Sequence, residues 1–180
     1  MKTIEVNLYK FSELSEDAKQ NAIEKIRSSL LDQDYFWGND AIKSIEKFME
    51  HFNCSFERYS IDWFEKYRNE FHIEIPEYMN EISEDELKNY IETMGPYDSV
   101  TMKGFGNCMF TGYCADEDAA DGARIAFLKG ERNLYDILYA GYESWYEAVN
   151  SDVEYEISDK GIIETIEDNE YDFTEDGNLA

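Results

Sequence analysis

The stretch TIEVNLYKFSELSEDAKQNAIEKIRSSL, residues 3–30, changes its hydrophobic period partway along, and that change decides the fold class. Ile4, Val6 and Leu8 alternate with polar residues, the two-residue repeat of a half-buried strand over residues 3–9. Ser15 then supplies a helix cap, with Glu16 and Asp17 at the positive end of the helix dipole. Beyond it Ala18, Ala22, Ile23, Ile26 and Leu30 recur three and four residues apart and share one helical face. A second helix is expected after a turn at Gly38 and Asn39, its stripe formed by Ile42, Ile45, Phe48, Met49 and Phe52. The chain thus opens β-α-α. The expected fold is α+β, a small, mostly antiparallel sheet packed against several helices.

Later segments fit the same class. Phe71, Ile73 and Ile75 alternate with His72 and Glu74 until Pro76 stops the run, so two strands, paired as a hairpin, are expected between Cys54 and Ile75. Ser83 and Glu86 form a capping box before a helix carrying Leu87, Tyr90, Ile91 and Met94. Gly104, Gly106 and Gly112 surround a buried strand expected over residues 107–113. Helices are expected over residues 116–129 and 133–150, then a strand over 153–157, a short helix capped by Ser158, and a hairpin around Asp176 and Gly177. No repeat, low-complexity tract or linker interrupts the 180 residues, and one domain over residues 1–180 is the expected organisation.

With 43% hydrophobic and 16% aromatic residues the chain can bury a core, which argues against disorder. Its 16 Lys and Arg against 41 Asp and Glu give a formal net charge of −25. Direct nucleic-acid binding and attachment to anionic membranes both need clustered cations, so the balance excludes them. No apolar run approaches the roughly 20 residues of a membrane helix, and residues 1–10 lack the apolar stretch of a signal peptide. A cytoplasmic location is expected. Cys54, Cys108 and Cys114 cannot all pair within one chain and are expected as reduced thiols.

The residues give no pattern for catalysis. His51 and His72 are the two histidines, and no spacing joins either to a cysteine nucleophile. His51, Cys54, Cys108 and Cys114 lack the paired spacings of zinc sites. Asp116, Asp118 and Asp121 imitate a calcium loop, but Ala120 and Phe127 stand where further ligands belong, and capping of the next helix is the simpler use of those acids. Gly104 and Gly106 have neither the dinucleotide nor the phosphate-loop spacing. No catalytic residue, cofactor or metal is expected, and the chain is read as a binding protein rather than an enzyme.

The charge is concentrated. Residues 143–180 hold 13 acids and a single base, Lys160. Apolar residues such as Trp145, Val153, Ile162 and Ile166 lie between the acids, as in a folded segment. The candidate contact residues are Glu143, Glu147, Asp152, Glu154, Glu156, Glu164, Glu167 and Asp168. Read as a strand, Asp152, Glu154 and Glu156 would share a face about 7 Å apart, two rises of roughly 3.3 Å. That spacing approximates the about 6 to 7 Å between successive phosphates of a nucleic-acid strand. Solubility alone calls for a smaller net charge, and mutual repulsion of folded carboxylates costs stability, so a basic partner is expected.

Three blocks carry a resemblance. Phe11-Ser12-Glu13-Leu14-Ser15-Glu16-Asp17-Ala18-Lys19, Gly104-Phe105-Gly106-Asn107-Cys108-Met109-Phe110-Thr111-Gly112, and Asn169-Glu170-Tyr171-Asp172-Phe173-Thr174-Glu175-Asp176-Gly177 resemble a group of small acidic phage and prophage proteins. The resemblance implies a mobile-element origin and a host-defence target, of the anti-CRISPR, anti-restriction or antitoxin type. The expected partner is a basic nucleic-acid-binding protein such as a Cas9-type nuclease, in the cytoplasm of the bacterial host. The alternative is an antitoxin or regulatory module that neutralises another basic protein.

Overall fold

Side-chain caps fix where the helices start. Ser15 accepts the Ala18 amide at 3.2 Å and opens α1 (Glu16–Asp32). Ser83 and Glu86 close the expected capping box at α3 (Glu84–Thr93), and Ser158 accepts the Gly161 amide at 3.1 Å to open α6 (Asp159–Asp168). Between these lie α2 (Gly38–His51), α4 (Ala115–Leu128) and α5 (Leu134–Glu156). Four strands lie among the described residues: β1 (Tyr9–Lys10), β2 (Ser55–Ser60), β3 (Glu70–Glu74) and β4 (Asp172–Phe173). The structure is a computed structural model describing residues 7–32, 38–63, 66–95, 110–111 and 115–180. The α+β expectation holds, with two small antiparallel sheets packed against helices.

The chain divides into two compact units. The first gathers residues 1–36 and 152–180. Its β1 pairs antiparallel with β4 in the register Tyr9 to Phe173, and Phe173 bridges Leu179 on its other side, as the expected hairpin around Gly177 requires. Leu14, Ala18, Ala22 and Ile23 pack against Ile162, Ile166 and Phe173 to form its core. Arg27 ties the turn between α5 and α6, donating from Nε to the Ile157 carbonyl at 2.9 Å and pairing with Asp159.

The second unit, residues 37–151, is built around α2, whose Ile45, Phe48 and Met49 are fully buried, as is Phe52 just beyond its end. The β2–β3 hairpin is the one expected between Cys54 and Ile75, and Phe71 lies 3.9 Å from Tyr142 of α5 between ring centres. Helices α4 and α5 approach backbone to backbone: a Cβ on Gly122 would stand 2.5 Å from the Ala140 carbonyl oxygen, and one on Gly141 would stand 2.9 Å from that of Ala119. Asp116, fully buried, accepts the amides of Phe110 at 3.0 Å and Thr111 at 2.6 Å and the hydroxyl of Ser44. It therefore pins the turn before α4 to α2, where capping of its own helix was expected. Arg124, equally buried, pairs with Asp121 at 2.8 Å and donates to the Met94 carbonyl at 2.7 Å.

One expected element is different. Residues 153–157 are no strand, because α5 continues through Glu156 and the Ile157 amide still reaches the Val153 carbonyl at 3.1 Å. The alternating run Val153-Glu154-Tyr155-Glu156-Ile157 fits both periods, but Val149 and Val153 are buried at helical spacing while Tyr155 is 44% exposed. Of the opening strand, residues 3–6 lie outside the described residues. So does most of the strand expected over 107–113, in which Phe110 and Thr111 form a turn.

Two glycines separate conformational cost from crowding. Gly130 has φ +102 with open space around its missing Cβ, whereas Gly177 has φ +80 and a Cβ there would meet the Ala18 carbonyl oxygen at 2.1 Å. Gly130→Ala should cost about 1 kcal/mol for the backbone conformation alone. Gly177→Ala should cost roughly 3 kcal/mol or more, because overpacking adds to it. Denaturant unfolding of the two variants in parallel checks the difference.

Candidate functional site

The eight acids expected at the site fall into three groups. Glu143 and Glu147 stand one turn apart on α5, a spacing that puts both on one face. Lys66 lies 2.9 Å from Glu143 and 3.7 Å from Glu147, with its ammonium 5.8 Å from the centre of the Tyr146 ring. Burial pulls the Lys66 ammonium down, but the hydrogen bond and charge of Glu143, joined by Glu147, outweigh it and hold the group above its ordinary value. These two carboxylates are thus already matched by a cation of the chain itself. Nothing in the spacing of the sequence pairs Lys66 with them.

Asp152, Glu154 and Glu156 occupy the last turns of α5. At about 100° per residue, Asp152 and Glu156 share a face and Glu154 points away from it, so the ladder of three carboxylates about 7 Å apart does not exist. Asp152 is exposed and has no ion pair among the described residues. The third group, Glu164, Glu167 and Asp168, lies along α6 at spacings of three and four, opposite the buried Ile162 and Ile166. The Tyr155 hydroxyl donates to the Glu164 carboxylate, and Lys160 lies 3.8 Å from Glu164 and 5.4 Å from the Tyr155 ring centre. That hydrogen bond, followed by burial and the charge of Glu164, pushes the Tyr155 hydroxyl above its ordinary value. Glu167 and Asp168 are exposed, with no ion pair among the described residues.

Charge density distinguishes the two units. Residues 1–36 and 152–180 carry 6 bases and 18 acids, a net −12 over 65 residues, while residues 37–151 carry 10 and 23, a net −13 over 115. The α6 carboxylates therefore sit in the more densely acidic unit.

The Cys54 thiol is buried, donates to the Phe52 carbonyl at 3.3 Å, and is pushed up to about 11 by burial. His51 sets Nε2 2.9 Å from the Tyr90 carbonyl oxygen, with its ring among Phe52, Tyr90 and Phe110. His72 is exposed on β3, and Cys108 and Cys114 lie outside the described residues. Among the described residues no three His, Cys, Asp or Glu side chains are grouped to hold a metal, and no helix is long and apolar enough to cross a membrane. No family model, curated protein or solved structure matches the chain.

The shifted thiol makes a direct prediction. A rise from 9.0 to about 11 leaves about 100-fold less thiolate at pH 8. Iodoacetamide should modify Cys54 in the folded protein at least about 100-fold more slowly than in the denatured chain, since burial also restricts access. Timed alkylation followed by mass spectrometry of the Cys54 peptide measures the ratio.

Proposed function

We propose that the chain is an acidic inhibitor that masks the basic nucleic-acid channel of a host-defence nuclease, a Cas9-type effector, with carboxylates taking the place of phosphates. The observation that carries this reading is the exposed row Glu164, Glu167 and Asp168 on α6, set in a unit of net charge −12. Residues three and four apart on a helix hold their Cβ atoms about 5 to 6 Å apart, close to the separation of phosphates along a strand. The helix is fixed by its Ser158 cap and by the packing of Ile162 and Ile166, so the charges are presented at little ordering cost. A guide and target channel is positively charged and reads backbone shape, which a rigid polyanion can satisfy without bases. The net charge of −25 adds long-range attraction that raises the association rate.

Glu167→Lys combined with Asp168→Lys is the informative change, since both side chains are exposed and Glu164 keeps its contact with Tyr155. Binding to a purified Cas9-type nuclease should weaken at least about 10-fold, with the melting temperature unchanged or raised as repulsion is relieved. Wild-type affinity should fall steeply between about 50 and 200 mM salt, mostly through the association rate. Calorimetry and surface plasmon resonance across that range test both; salt-independent binding, or an inhibitor bound together with guide and target, would refute the reading.

A further inference from the structure

Helix α6 ends in a backbone arrangement that usually calls for glycine. The Glu170 amide donates to the Glu167 carbonyl at 3.1 Å and the Tyr171 amide to the Ile166 carbonyl at 3.2 Å, the two bonds by which many helices close on a left-handed residue. That residue is Glu170, with φ +52. A Cβ is crowded in this conformation, which glycine and asparagine mostly occupy, so a glutamate there costs stability. Glycine would allow both hydrogen bonds without the cost. The side chain kept in its place is an exposed carboxylate.

Beside that turn lies an open cleft of about 360 Å³, wholly within the first unit. Its apolar lining comes from Ile166 and Tyr171, the pair the turn brings together, and from Phe11. Its charged lining is Glu167, Glu170 and Lys10. The register of β1 against β4 sets Lys10 opposite Asp172, and the Lys10 ammonium stands 2.8 Å from that carboxylate and donates to the Glu170 carbonyl at 2.7 Å. Its charge is thus balanced at the sheet. Glu167 and Glu170 are exposed and have no ion pair among the described residues.

Size and charge together define the occupant. Ligand sites run from about 300 to 1,000 Å³, so a cleft at the small end of that range, and open to solvent, takes one side chain rather than a helix or strand. Two carboxylates beside aromatic residues match a guanidinium, whose forked N–H groups donate to carboxylate oxygens and whose plane stacks on a ring. A lysine ammonium has neither the fork nor the plane. We propose that this cleft receives a single arginine side chain of the basic partner. Its guanidinium donates to Glu167 and Glu170 while its stem covers Phe11, Ile166 and Tyr171. The proposal rests on the reading of the chain as a binder of a basic protein and deepens it: the α6 carboxylates supply long-range attraction, and the cleft supplies one anchor of fixed identity. The left-handed Glu170 is then a functional residue held at a cost in stability.

The test uses the full chain and three capped tripeptides, acetyl-Gly-X-Gly-amide, with X arginine, lysine or citrulline, the last an uncharged isostere of arginine. In NMR titrations the arginine peptide should shift the Glu167, Glu170 and Tyr171 amides saturably, with a Kd at least about 5-fold below that of the lysine peptide, and the citrulline peptide should give no saturable shift. Glu170→Gln removes the charge and keeps the backbone conformation; it should weaken arginine binding at least about 5-fold with the melting temperature unchanged. Glu170→Gly should weaken binding as much while raising the melting temperature, because the left-handed position then carries no Cβ. Ser12, which also lines the cleft, gives a steric arm. Ser12→Trp fills the cleft and leaves both carboxylates, so it should abolish saturable binding, whereas attraction by surface charge alone would survive it. Should Ser12→Trp lower the melting temperature, Glu170→Gln decides alone.

Equal binding of the arginine and citrulline peptides, or arginine binding unchanged in Glu170→Gln, overturns the proposal. Equal binding of the lysine peptide overturns the guanidinium as occupant. A Glu170→Gly protein no more stable than the wild type overturns the claim that this carboxylate is held at a cost. If Glu167→Lys with Asp168→Lys abolishes nuclease binding while Glu170→Gln and Ser12→Trp leave it unchanged, the cleft fails and the inhibitor reading stands. If the arginine peptide binds as expected and no nuclease binds, the cleft stands and that reading fails.

Discussion

The backbone contact between α4 and α5 at Gly122 and Gly141 is the constraint from which the second unit follows. Any side chain at either position would meet a carbonyl oxygen of the opposite helix at under 3 Å. With that approach fixed, the two ends of α4 are committed. Asp116 is carried into reach of Ser44 and the Phe110 and Thr111 amides, and Arg124 into reach of the Met94 and Gly95 carbonyls at the end of α3. Both charges are fully buried, and such groups are tolerated only where hydrogen bonds replace water. Two small residues thus determine where two large desolvation costs are offset.

The same logic explains why charge and stability are separable in this chain. Most acids lie on exposed faces where mutual repulsion is screened by salt, and the core beneath them is ordinary aliphatic and aromatic packing. Lys66 is an exception, since it neutralises Glu143 and Glu147 locally and leaves that stretch of α5 less available to an outside cation. Of Glu164, Glu167 and Asp168 on α6, Glu164 is the one with an ion pair among the described residues, to Lys160. Position relative to internal cations, rather than the number of acids, ranks the candidate contacts.

Much of the fold was legible in sequence because its signals are local. Ser15, Ser83 and Ser158 each mark a helix start through a hydrogen bond spanning three residues, and the stripes of α1 and α2 repeat at the period of the helix they form. The misread element, residues 153–157, alternates in a way that both periods accept, and only burial of Val149 and Val153 settles it. No linker marks the boundary at residues 151 and 152, because both lie inside one continuous helix. At the candidate site the acids themselves were readable. Their sorting into engaged and open carboxylates was not, since it depends on Lys66, a residue 77 positions from Glu143.

The pairing of Tyr9 with Phe173 also sets an order of events during synthesis. At roughly 5 to 20 residues per second, on the order of ten to thirty seconds separate the translation of one partner from that of the other. All of residues 37–151 are made in that interval, so the second unit can collapse on the ribosome while β1 still lacks a strand to bond with. The apolar stripe of α1 waits equally long, because Ile162, Ile166 and Phe173 are its burial partners. A nascent chain of this design exposes a sticky helix early and covers it late, which makes α1 the segment a ribosome-bound chaperone would hold.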